Sequence, residues 1–223
     1  MLDTLRVEPA GQRWLTPGLR KYSCQLTIDT NTVNNKIKLS DDNRKMMLVD
    51  EDQSYPDHPD RFDHWPQLLC KEVLTGRCYW EVQWRGTVSV SGSYRRISRK
   101  GNSDDCEFGE NDHSWSLDCF PGGWYCVRHN KRETSITSSS PSPSSDSGRA
   151  AVYVDVPAGT LSFYEVSVSD RLIHLHTVNT TFTGCPGFRL KSRPWSGSWS
   201  ESMIKYGLRT LLVSENLVSL CPV

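Results

Sequence analysis

The chain has 223 residues, enough for one all-β domain or two small ones, with 26 Lys plus Arg against 26 Asp plus Glu. A formal net charge of zero gives no global attraction to phosphate backbones or anionic lipid, which argues against a nucleic-acid or membrane-surface protein. Hydrophobic residues are 36% and tryptophans number 8, and the absence of any apolar run of 18 residues excludes a spanning helix.

In chain order, short stretches of period-two alternation recur. Leu26 and Ile28, then Ile37 and Leu39, alternate with polar neighbours. Trp80, Val82 and Trp84 share one face of a strand whose other face carries Glu81 and Gln83. Val88 with Val90, Val152 with Val154 and Val156, Leu161 with Phe163, and Ile173 with Leu175 repeat the pattern. Turn residues separate them, as in Asp41-Asp42-Asn43, Pro121-Gly122-Gly123, Pro157-Ala158-Gly159 and Pro186-Gly187. Many short strands at such spacing predict an antiparallel sandwich. Residues Ser138 to Gly148 are almost all Ser, Pro and Gly, and read as a disordered hairpin loop between strands at 132–137 and 150–156.

Chemistry is sparse. The start of the chain lacks the basic and apolar regions of a signal peptide, which places it in the cytoplasm as the simplest expectation. There the 8 cysteines are expected as thiols, with Cys78 a small buried hydrophobe. No Cys-x-x-Cys, nucleophile elbow, zincin motif or P-loop occurs. His174 and His176, two apart on a strand, would share one face, yet no third metal ligand accompanies them. The expectation is no enzyme, no metal and no cofactor.

Three ordered motifs then carry a resemblance. The run Leu26-Thr27-Ile28-Asp29-Thr30-Asn31-Thr32 resembles the Leu-Asp-Pro motif of PRY segments, with Thr30 in the place of Pro. Tyr79-Trp80-Glu81-Val82-Gln83-Trp84 resembles the Trp-Glu-Val-Glu motif of SPRY domains. The run from Val154 to Tyr164 resembles the third motif, Leu-Asp-Tyr-x-x-Gly-x-Leu-Ser-Phe-Tyr, and Phe108 to Trp115 resembles the segment between them. The blocks Ser54–Phe62 and Arg95–Gly101 are similar to C-terminal domains of fish NLR-type receptors, fish tripartite-motif proteins and stonustoxin-like proteins.

The resemblance implies an all-β, antiparallel β-sandwich of the SPRY, concanavalin-like jelly-roll type with an N-terminal PRY segment. Residues 1–24 form an arm, helical or extended; 25–78 hold the PRY segment and the approach to SPRY; 79–188 hold the SPRY core; 189–223 form an atypical tail with a final strand near 217–221. It implies a non-catalytic module that holds a protein or peptide through surface loops, inside a larger parent active in cytosolic innate immunity or ubiquitin-ligase targeting.

Trp, Tyr and Arg dominate interface hot spots, which points to Trp124, Tyr125, Arg128 and His129 in one segment. Arg61, Asp63 and Trp65 in a second loop and Tyr94, Arg95 and Arg96 in a third complete the candidate set. On strand 124–129 one of the two alternating faces must point inward. Two other classes are compatible with the sequence. One is a lectin-like carbohydrate binder using Trp124 with Asn130; the other is a toxin-like secreted chain, which requires oxidised cysteines.

Overall fold

The computed structural model describes residues 18–138, 146–180, 183–191 and 216–221, together with the backbone of a short hairpin, β1 (Leu5–Val7) and β2 (Arg13–Leu15). Two antiparallel sheets face each other. One has six strands in the order β10 (Arg132–Thr137), β9 (Trp124–His129), β8 (Ser114–Phe120), β7 (Val88–Ser93), β14 (Cys185–Leu190) and β5 (Gln67–Leu69). The other has seven, in the order β13 (Leu172–Asn179), β12 (Thr160–Val166), β11 (Ser147–Asp155), β6 (Arg77–Arg85), β15 (Leu217–Leu220), β4 (Lys45–Leu48) and β3 (Ile37–Leu39).

Alternation builds the core as expected. Trp80, Val82 and Trp84 of β6, with Val152, Val154, Leu161 and Phe163, meet Val90, Leu117, Tyr125, Val127 and Phe188 of the facing sheet in one apolar cluster. Each such side chain taken fully out of water stabilises the fold by about 1.5–3 kcal/mol. Asp155 and Gly159 form the tight turn before Leu161: the Ala158 N–H donates to Asp155 Oδ1 at 3.1 Å.

The expected final strand exists as β15, and its position is central. It pairs with both β6 and β4, so the last described residues close the seven-stranded sheet. The Trp195 to Trp199 stretch of the tail lies outside the described residues, as do residues 139–145 of the Ser-rich run. That run is not a hairpin loop. β10 lies in the six-stranded sheet and β11 in the other, so the connection crosses between layers.

Two more expectations are corrected. His174 and His176 do not share a face, because a register shift between Phe163 and Tyr164 pairs His174 with Tyr164 and His176 with Phe163. Cys78 is buried but is not a thiol. It is bonded to Cys24, with Cα atoms 5.5 Å apart, inside the normal disulfide range. The bond ties the segment after a 3₁₀ turn (Gly18–Tyr22) to the start of β6, where Cys24 N–H also donates to Tyr79 O at 2.9 Å. The other six cysteines are free, five of them buried.

Candidate functional site

The six-stranded sheet has two buried faces. The inner face is the apolar core. Over the outer face lie residues 56–66 and 94–113, held by a second apolar cluster of Phe62, Leu69, Ile97, Phe108 and Cys185. Gly187 makes room for this roof: a Cβ there would sit 2.8 Å from the Phe108 ring. Gly109 does the same with φ of +88°, where a Cβ would approach Ser116 Oγ to 2.4 Å.

Beneath the roof the sheet is ionic. Asp118 of β8 is 1% exposed; it accepts from Lys191 Nζ at 2.5 Å and Ser89 Oγ at 2.6 Å and forms an ion pair with Arg128, whose Nε lies 3.0 Å away. Burial alone would raise the Asp118 carboxyl; the neighbouring Lys191 and Arg128 charges outweigh it and hold the group below its ordinary value. Arg128 continues to Glu110 at 2.5 Å and Glu133 at 2.7 Å. Burial opposes its charge, but Asp118 and the two glutamates raise its pKa above the usual guanidinium value. Arg189 pairs with Glu107 in the same layer and stacks under Trp65, 4.5 Å from the ring.

This architecture separates the ten candidate residues. Tyr125 is 3% exposed and packs edge-on against Trp84, 6.5 Å between ring centres, so it is a core residue rather than a contact. Arg128 is taken up by its three carboxylates. Arg61, 6% exposed, donates to the carbonyls of Pro56, Thr30 and Val33 and staples the chain from inside. Burial removes these three from direct contact with a partner. Trp124 and His129 lie at opposite ends of β9, about 17 Å apart at strand rise, so segment 122–130 is not one site. The same separation places Trp124 and Asn130 too far apart for the carbohydrate pair expected from sequence.

Other candidates do converge. At the end of β7, β8 and β9, the inner-face positions run out of facing sheet and leave a row of rings. His129 stacks on Trp115 at 4.4 Å and 8°; Tyr94 lies edge-on to Trp115 at 5.9 Å and to His113 at 6.3 Å. Trp115 is nearly buried, while Tyr94, His113 and His129 are half-buried. Ser114 O lies 2.8 Å from His129 Nδ1, and a carbonyl only accepts, so the Nδ1–H donates to it and fixes the ring. Arg96 is exposed over the Tyr94 ring at 5.2 Å. Arg95 is fixed by an ion pair to Asp29 and a bond to Cys70 O at 3.3 Å.

The neighbouring loop joins this end of the roof. Asp63 is exposed and accepts the Gly101 N–H at 2.9 Å, Lys100 Nζ donates to His58 O at 3.3 Å, and the Trp65 indole donates to Ser103 O at 3.4 Å. Sequence reasoning missed Trp115 and His113 as members of the ring row. They sit in the Phe108–Trp115 segment, whose motif speaks for the fold; only the pairing of Trp115 with His129 brings them in. Among the described residues, no three His, Cys, Asp or Glu side chains group as metal ligands, and no helix is long and apolar enough to cross a membrane.

Comparison with known proteins agrees with the fold. Residues 26–74 match the family model described as PRY, SPRY-associated domain. Stonustoxin subunit alpha of Synanceia horrida is 42% identical over 163 residues, 73% of this chain and 22% of that protein. Tripartite motif-containing protein 16 of Mus musculus is 32% identical over 166 residues, 73% of this chain and 28% of that protein. The crystal structure of the TRIM65 PSpry domain superposes with a TM-score of 0.68 at 20% identity, covering 92% of this chain and 93% of that one. This chain thus spans less than a third of the length of either curated relative. With the PRY match, the sandwich and these relatives in agreement, the chain belongs to the PRY-SPRY (B30.2) domain family.

Proposed function

We propose that the chain is a non-catalytic recognition module that holds an exposed peptide of a partner protein against the half-buried rings of Tyr94 and His129, which the buried Trp115 supports from beneath, with Arg96 and His113 at the margin. The observation that carries this is the stack of His129 on Trp115 beside Tyr94. Three rings on the ends of three adjacent strands form a rigid platform, and such platforms lose little entropy on binding. PRY-SPRY domains are recognition modules, which supports the class of function.

The test is a peptide-display selection on the folded chain, followed by affinity measurement. Selected peptides are expected to bind at least about tenfold more weakly to Tyr94→Ala and to His129→Ala, and unchanged to Trp124→Ala. Equal binding to all four proteins overturns the site, and binding of glycans without peptides overturns the class.

The finer setting belongs to the same proposal: a cytoplasmic module in innate immune sensing or ubiquitin-ligase targeting, carried by a longer parent. A secreted, toxin-like setting is the second reading, and the Cys24–Cys78 bond favours it, because disulfides persist in oxidising compartments. Counting thiols in protein from its native source weighs the two: six free thiols favour the secreted reading, and eight, with Cys24 and Cys78 reduced, favour the cytoplasmic one.

A further inference from the structure

A sheet edge exposes unpaired N–H and C=O groups, and folded proteins guard such edges. The sandwich has four. At β5, the Asp29 N–H donates to Leu69 O at 2.9 Å, Leu69 N–H donates to Thr32 Oγ1 at 2.9 Å, and Asn34 N–H donates to Gln67 O at 3.3 Å, so the edge is capped by its own chain. β3 is three residues long, and Tyr55 Oη donates to Ile37 O at 2.9 Å. β13 carries the bulge opposite Phe163 and Tyr164. The fourth edge, β10, has six residues in unbroken register with β9, with neither proline nor bulge.

Its outward groups can be identified. Asn130 and Lys131, with φ of 49° and 62°, form a two-residue hairpin turn, so His129 and Arg132 are a hydrogen-bonded pair. Ser138 N–H donates to Gly123 O at 2.8 Å, which keeps the same parity to the far end. Residues 132, 134 and 136 therefore bond to β9, and Glu133, Ser135 and Thr137 turn their N–H and C=O outward. Among the described residues no strand pairs with that side.

We propose that β10 is a self-association edge, joining two copies of this chain antiparallel about a two-fold axis at Ser135. A second copy fits for reasons of charge and register. With Ser135 opposite Ser135 of the partner subunit, Glu133 faces Thr137 of the partner subunit, and about six backbone bonds form. No like charges are brought opposite each other in this register. Glu133 is already neutralised by Arg128 at 2.7 Å, so the one carboxylate on the edge does not repel its copy. The 26 positive and 26 negative residues leave two copies with no net repulsion. Thr134, Ile136 and Thr137 are β-branched, the type that suits extended pairing.

The test is sedimentation equilibrium on the full chain from low to high micromolar, with amide exchange at both limits. The expected result is a reversible dimer in which the amides of Glu133, Ser135 and Thr137 become protected. Ser135→Pro removes only an outward N–H and leaves the ladder to β9 intact; it is expected to raise the dimer Kd about tenfold or more without lowering the Tm. Ser135→Lys sets two ammonium groups face to face and is expected to do the same. A chain that stays monomeric throughout, or a dimer that survives both substitutions, overturns the proposal.

Discussion

Leu117 and Asp118 are neighbours on β8, both essentially without exposure, and they live in opposite environments. Leu117 points between the sheets into apolar contacts; Asp118 points out of the sandwich into a layer of ions under the loop roof. The comparison teaches that alternation along a strand assigns faces but not exposure. A polar face normally meets water, and here residues 56–66 and 94–113 cover it. Its buried charges are matched within the second layer, Asp118 by two cations and Arg128 by three carboxylates.

Substitution at the two positions tests that contrast. Asp118→Ala leaves Lys191 and Arg128 buried without their shared carboxylate and is expected to cost about 3–5 kcal/mol in chemical denaturation. Leu117→Ala is expected to cost about 2–5 kcal/mol through lost burial and a cavity. A cost below about 1 kcal/mol for Asp118→Ala would mean that water reaches the ionic layer and that the roof does not seal it. Acid sharpens the same point. The folded Asp118 titrates below its ordinary value of 3.8, so its contribution is present above that pH and is lost as pH falls through the folded value. Acid melts of Asp118→Asn are expected to lack this component, while those of Leu117→Ala keep it. The smallest effect belongs to the end of the inner face: His129→Ala removes one stacked ring and is expected to cost about 1 kcal/mol.

The core was legible because its signal is local. Trp80, Val82 and Trp84 announce a buried face within five residues of sequence, and Val152 to Phe163 do the same. The roof was not legible, since Phe62, Ile97 and Phe108 are single apolar residues in loops with no period, and part of what they cover, Cys185 of β14, is far away in sequence. In sequence Arg128 and Arg61 look like contacts because an arginine among polar residues looks exposed; only the tertiary partners Asp118, Glu110 and the carbonyls of 30, 33 and 56 show otherwise. The histidine pair failed at one bulge, which moves a side chain to the other face without leaving a mark in the pattern. The ring row was half legible: Tyr94 and His129 came from residue type, and Trp115 needed the register.

The Cys24–Cys78 bond closes a covalent ring, and the matched PRY segment, residues 26–74, lies wholly inside it. Sequence position thus makes the PRY segment a captive of the SPRY strands. A protease that nicks any loop between 27 and 73 would release no fragment, and the cut chain would migrate as a single piece until a reductant is added. Ring closure over 54 residues also narrows the unfolded ensemble, worth about 4 kcal/mol in the chain-entropy picture. The short strands β3, β4 and β5 lie in the part that is fenced in.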